Sequence, residues 1–158
     1  MTDATTLLDM YKRKGLRIAT AESCTGGMVS AAITDIAGSS AVFERGFVTY
    51  TNAAKTQMLG VSEQTLQDHG AVSEQVAAQM ALGAIARSDA DVAVSITGIA
   101  GPGGSEFKPE GRVCFGLATR SGLIGTETIE FGAIGRANVR TASVQKAITL
   151  LKSAATQV

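Results

Sequence analysis

The sequence predicts one α/β domain, a three-layer α/β/α sandwich built around a mixed, mostly parallel sheet. Three observations point there. Stretches with strand character alternate with stretches whose apolar residues recur at helical spacing. The last two strand-like stretches flank Ser121-Gly122, which reads as a hairpin and makes the sheet mixed. A chain of 158 residues with 45% hydrophobic side chains is long enough for one domain with a real core and too short for two.

Thr5 to Lys14 reads as a helix with Leu7, Leu8 and Tyr11 on one side, stopped by Gly15. Leu16 to Ala21 follows as a strand. From Gly26 onward Val29, Ala32, Ile33 and Ile36 keep the spacing of one buried helix face, so a strand runs straight into a helix. Gly38-Ser39-Ser40 breaks that helix, and Val42 to Thr51 has the Phe, Val, Thr and Tyr content of a strand. Asn52 is placed to cap a short helix ending at Gly60, while Ser62 and Ser73 are placed to cap two more. In the second of these, Val76, Met80 and Ala84 repeat every four residues, as a core face does. Asp91 to Thr97 is a short apolar strand opening into the glycine-rich stretch Gly98 to Ser105, a loop. Arg112 to Thr119 and Leu123 to Phe131 form the hairpin, and Val144, Ala147, Ile148 and Leu151 mark a closing amphipathic helix.

Composition removes several function classes. Fourteen Lys and Arg balance fourteen Asp and Glu, so no global field draws the chain to nucleic acid or an anionic membrane. Trp is absent and aromatics make up 4%, which leaves no base-stacking platform. Two cysteines, Cys24 and Cys114, with one histidine, His69, supply neither a disulfide scaffold nor a zinc finger. No stretch reaches the length of a membrane span and no secretory leader is visible, so a cytoplasmic protein without membrane or nucleic-acid partners is expected.

Eighteen glycines against two prolines is a high ratio, and many of the glycines cluster in two turns at strand ends, where open α/β sheets bind ligands. The first reads Thr20-Ala21-Glu22-Ser23-Cys24-Thr25-Gly26-Gly27. A helix start leaves several N–H groups aimed at one point, so this turn can hold an anion, or can set an oxyanion site beside a serine nucleophile. From the residues alone, plain helix capping by Ser23 and Thr25 is the favoured reading, since caps far outnumber nucleophiles. A serine nucleophile needs a base. His69 lies at a polar helix end, in Gln67-Asp68-His69-Gly70, where a capping role suits it better. Lys55 follows the end of the second strand and would share a sheet edge with Ser23 if the two strands were parallel neighbours. A lysine acts as a base once desolvation lowers its pKa, although a solvated helix lysine is the plainer reading. Cys24, at a helix start, is the second candidate nucleophile, and Cys114 sits among Val113, Phe115 and Leu117 as a small core residue.

The second turn, Gly98 to Ser105, can turn successive N–H groups inward around a phosphate or carboxylate. It matches neither a P-loop, because Lys108 is followed by Pro109, nor a dinucleotide fingerprint. Lys108, Arg112, Arg136 and Arg140 are available to meet a phosphate.

Five pieces taken in order resemble one family. They are Thr20 to Gly27; Phe43 to Tyr50 with Asn52 and Lys55; His69-Gly70-Ala71-Val72-Ser73-Glu74; Ser95-Ile96-Thr97-Gly98-Ile99-Ala100-Gly101-Pro102; and Lys108-Pro109 ahead of Gly111. Across nearly its whole length the chain resembles the C-terminal domain of the competence/damage-inducible CinA family, whose stand-alone members are nicotinamide mononucleotide (NMN) deamidases. Gly135 stands ahead of Arg136 where the family often has an acidic residue. Larger members carry an extra N-terminal domain resembling molybdopterin-binding proteins, and only the amidase half is expected here.

The resemblance implies hydrolysis of the NMN carboxamide to nicotinic acid mononucleotide and ammonia, with no metal or cofactor. It implies Ser23 as nucleophile, Lys55 as base, and Tyr50 assisting Lys55 or orienting substrate. N–H groups from Cys24 through Thr25 and Gly26 to Gly27 would receive the oxyanion. Asn52 would contact the substrate, and Thr97, Gly98, Gly101 and Ser105, with Arg136 or Arg140, would hold the ribose phosphate. The partner is then a small pyridine mononucleotide, in a homo-oligomeric enzyme. The alternative is a non-catalytic nucleotide-binding or regulatory module using the same cleft.

Overall fold

A computed structural model describes residues 3–105 and 107–158. Twelve elements follow in the order α1 (Asp3–Lys14), β1 (Ile18–Glu22), α2 (Met28–Thr34), a 3₁₀ turn (Ser39–Ala41), β2 (Phe43–Val48), α3 (Asn52–Leu59), α4 (Glu63–His69), α5 (Glu74–Ala86), β3 (Val92–Gly98), β4 (Arg112–Thr119), β5 (Gly122–Glu130) and α6 (Arg136–Ala155). The strands form one sheet in the order β2-β1-β3-β4-β5. β1 pairs in parallel with both β2 and β3, whereas β4 is antiparallel to β3 and to β5. Only β4 therefore runs against the other four, which is the mixed, mostly parallel sheet expected.

Helices cover both faces. α6 lies on β3 and β4 with α1 and α2 packed beside it, while α5 lies across β1, β3, β4 and β5 and carries α3 and α4. The two faces are filled differently. Val92, Val94, Ile96, Phe115 and Leu117 point toward α1 and α6, but Ala19, Ala21, Ala93 and Ala118 meet α5. Small residues let α5 approach the sheet closely. The Ser95 hydroxyl donates to Ala77 O at 2.6 Å, and a Cβ on Gly116 would stand 2.4 Å from that same oxygen. First and last helices are joined by the buried Tyr11, whose hydroxyl donates to Leu151 O at 2.7 Å. Burial, with the Asp91 charge second, pushes that phenol above its ordinary range.

Most expected elements are present, with shifts at their ends. Gly15, at φ 65, stops α1, and the Ser62 and Ser73 hydroxyls accept from the third residue onward as caps do. α2 ends at Thr34 rather than near Ile36, because its last turn tightens to an Ile36 N–H bond with Ile33 O. Thr51, not Asn52, caps α3, accepting from Ala54 N at 3.1 Å, so β2 stops at Val48 and Asn52 becomes the first helical residue. α6 begins at Arg136, two turns before its first expected core residue. Among the described residues no helix is long and apolar enough to cross a membrane.

The close approach of α5 is testable at Gly83, where an added Cβ would stand 2.0 Å from Leu59 O. Gly83→Ala should lower unfolding stability by about 1–3 kcal/mol. Gly125→Ala, where nothing lies within 4 Å, should be neutral or slightly stabilising in the same urea titration.

Candidate active site

β1 ends in a carboxylate. Glu22 is fully buried, and its Oε1 accepts from the Thr25 hydroxyl at 2.7 Å, Gly27 N at 3.2 Å and Val29 N at 2.9 Å. Its Oε2 accepts from Ser30 N at 3.0 Å and the Ser30 hydroxyl at 2.7 Å. The N-terminus of α2 is thus closed by the protein's own anion, which suits the positive end of a helix. This corrects the expectation of an open anion cradle. Gly27 N–H is engaged by Glu22 and Gly26 N–H by Ser23 O, so neither can receive an oxyanion. Thr25, Gly26 and Gly27 shape the turn, the glycines by adopting φ 55 and 108, and none of the three lines the cleft described below. The N–H groups of Cys24 and Thr25 have no partner in another described residue.

Ser23 follows Glu22 directly. Because β1 and β2 are parallel neighbours, Ser23 and the segment after β2 emerge at the same sheet edge, and α3 folds back over it. Lys55, in the first turn of α3, is 2% exposed and Ser23 is 7% exposed. Lys55 Nζ donates to Ser23 Oγ at 3.0 Å and to Tyr50 O at 3.2 Å, and Ser23 Oγ donates to Tyr50 O at 3.4 Å. The Tyr50 carbonyl therefore holds both partners of the pair. Ser23 N donates to Ile96 O at 2.9 Å, which ties the serine to β3 as well.

These groups open onto a cleft of about 300 Å³. Of the residues expected in the site, it is lined by Ser23, Cys24, Tyr50, Asn52, Lys55, Thr97, Gly98, Gly101, Ser105 and Arg136. Thr97 donates its hydroxyl to Ala71 O at 2.8 Å, which pins β3 to the start of α5. A Cβ on Gly98 would meet Val113 Cγ2 at 2.7 Å, and one on Gly101, already at φ 93, would meet Glu110 Cδ at 2.7 Å. Both glycines are sterically required. The glycine loop is also partly closed from within. Gly103 N–H donates to the Glu110 carboxylate, and Ser105 N–H donates to Lys108 O at 3.0 Å.

The basic residues separate into roles. Arg136 reaches across the cleft mouth, donating to Gly101 O at 2.8 Å and to the Tyr50 hydroxyl at 3.1 Å. Arg140, one turn further along α6, does not line the cleft. It donates from Nε to Cys24 O at 3.1 Å and from Nη2 to Thr25 O at 3.4 Å. Lys108 bonds the carbonyls of His69 and Val72, and Arg112 pairs with Glu130 at 2.5 Å. His69 is an exposed residue at the end of α4.

Cys24 lines the cleft, but burial pushes its thiol up to about 11, outweighing the nearby positive charges of Lys55 and Arg140. A thiol so held is a poor nucleophile near neutral pH. Cys114 is buried, with its sulfur 3.3 Å from the Thr128 hydroxyl, and its thiol is likewise raised by burial. Among the described residues no three His, Cys, Asp or Glu side chains come together to hold a metal ion. Two residues central to this geometry, Glu22 and Glu110, are absent from the sequence-based site. For Glu22 a signal existed, since an acid that closes an apolar strand just before a helix start is placed to meet that helix's N–H groups.

Residues 2–155 match the family described as CinA C-terminal domain. The chain is 60% identical over 121 residues to the nicotinamide-nucleotide amidohydrolase PncC of Enterobacter agglomerans, covering 76% of this chain and 74% of that one. It is 64% identical over 112 residues to the protein of the same name from Escherichia coli strain K12, covering 70% and 68%. It superposes on the crystal structure of the competence/damage inducible protein CihA from Agrobacterium tumefaciens with a TM-score of 0.93 at 50% identity, covering 96% of this chain and 92% of that one.

Two outcomes follow from the turn. Glu22→Gln keeps the shape but confronts the Gly27, Val29 and Ser30 donors with an amide, and should cost about 2–4 kcal/mol in urea unfolding. With its thiol at about 11, Cys24 should resist iodoacetamide at about pH 7.5 and react appreciably only as the pH rises toward that value, as peptide mass mapping would show.

Proposed function

The chain belongs to the CinA C-terminal domain family, and on that premise we propose that it is a nicotinamide-nucleotide amidase, hydrolysing the carboxamide of NMN to nicotinic acid mononucleotide and ammonia. The observation that carries this reading is the 3.0 Å contact between Lys55 Nζ and Ser23 Oγ at the floor of the cleft. An amide is a stable bond whose cleavage needs a strong nucleophile and a protonated leaving group. A hydroxyl in contact with a buried amine can supply both, because burial works against the charged form of the amine.

In this reaction the Ser23 hydroxyl oxygen bonds to the carboxamide carbon while its proton passes to neutral Lys55. The carbonyl oxygen becomes an oxyanion and takes the N–H group of Cys24, which lines the cleft, as donor. Lys55 then returns the proton to the amide nitrogen, ammonia leaves, and an ester remains on Ser23. Water attacks that ester with Lys55 again taking a proton, which is given back to the serine oxygen as the acid departs. Arg136 is the cation at the cleft mouth suited to the single phosphate, and Tyr50, bonded to it, orients the nucleotide. Asn52, Thr97, Gly98, Gly101 and Ser105 contribute the walls. The reading includes a cytoplasmic location, where such a nucleotide would be met, and a homo-oligomeric state.

Purified protein treated with chelator should release ammonia from NMN. Ser23→Ala and Lys55→Ala should each lower kcat by about a thousandfold or more while leaving NMN binding in calorimetry within reach of wild type. Undiminished turnover by Ser23→Ala would remove the nucleophile assignment. Wild-type protein that binds NMN and leaves it intact would instead identify a binding or regulatory module.

A further inference from the structure

The turn after Ser23 is gripped by one side chain of the last helix. Arg140 donates to Cys24 O at 3.1 Å and to Thr25 O at 3.4 Å. Cys24 O and Thr25 N share one planar trans peptide, so their bonds point in opposite directions. With that plane fixed, so is the backbone that carries Ser23 and the cleft-lining Cys24.

Resting on the amidase reading, we propose that Arg140 is a positioning residue that holds the turn presenting Ser23 and the Cys24 N–H to the cleft, and is not a ligand of the substrate. Its location agrees with this assignment. It lies outside the cleft, whereas Arg136, four residues earlier on the same face of α6, stands at the cleft mouth. Glu22 completes the arrangement from the other pole. Its carboxylate takes the N–H groups of Gly27, Val29 and Ser30, and Arg140 takes the two carbonyls, so opposite charges hold opposite polarities of one short segment. A guanidinium suits the task because its planar fork reaches both carbonyl oxygens from a fixed geometry, whereas a lysine ammonium is a rotatable point charge.

The test compares wild type, Arg140→Lys and Arg140→Ala for NMN kinetics and for the rate at which a fluorophosphonate labels Ser23, with thermal melts confirming that each variant is folded. The phosphonyl oxygen occupies the oxyanion position without needing the nucleotide. Expected are a kcat lowered about tenfold or more in Arg140→Lys, a KM within about twofold of wild type, and a parallel loss in labelling rate. Added ethylguanidinium should restore part of the rate to Arg140→Ala. A KM raised about tenfold at unchanged kcat would make Arg140 a substrate ligand and overturn the proposal, as would unchanged kcat and labelling in both variants. If wild type labels at Ser23 yet does not hydrolyse NMN, the amidase reading fails while the labelling comparison still judges Arg140.

Discussion

One buried carboxylate organises the working end of this molecule. Glu22 sits at the end of a central strand, out of reach of water, and an isolated charge there would be prohibitively costly. It is tolerated because the start of α2 wraps around it with backbone and hydroxyl donors. The benefit is geometric as well as energetic. The residue that follows a fixed carboxylate is itself fixed, and that residue is Ser23. The same interaction denies the helix terminus to any outside anion, so in the proposed function the nucleotide phosphate is met instead by Arg136 at the cleft mouth.

The parallel β1–β2 pairing supplies the second requirement. A crossover through α2 brings β2 back alongside β1, and the chain leaving β2 turns at Tyr50 into α3, which lowers Lys55 onto the serine. The proposed nucleophile and base therefore come from consecutive segments of the chain, and the Tyr50 carbonyl between them holds both. α6, the last helix, then reaches back over this edge with two arginines one turn apart, one toward the cleft and one toward the nucleophile turn. Glu110 repeats on the glycine loop what Glu22 does on the first turn, accepting from Gly103 N–H and so tying the loop to the segment before β4.

Much of this was legible in the sequence because it is local. The strand-to-helix turn at Ser23, the Ser62 and Ser73 caps, the periodic face of α5 and the glycine loop all declare themselves through neighbouring residues. Lys55 was reachable because a parallel pairing was the natural reading of a strand, helix, strand order. What escaped was set by contacts distant in sequence. Nothing near Arg136 or Arg140 says which of them faces the cleft, since that depends on how α6 is rotated over residues more than a hundred positions earlier. The N–H groups of Gly26 and Gly27 seemed available because the glycines suggested an open cradle, whereas the Ser23 carbonyl takes the first and the Glu22 carboxylate the second. The cap of α3 moved by one residue because Thr51 and Asn52 are both competent, and the backbone path out of β2 decides between them.

The central claim is that the departure of ammonia leaves an ester on Ser23. Rapid acid quench during NMN turnover, followed by peptide mapping, tests it most directly. The predicted result is an acyl group, the substrate less ammonia, on the peptide containing Ser23 and on that oxygen, formed before free acid appears. An acyl group on Cys24 or elsewhere, or free acid appearing in a single turnover with no protein-bound acyl group preceding it, would contradict the account.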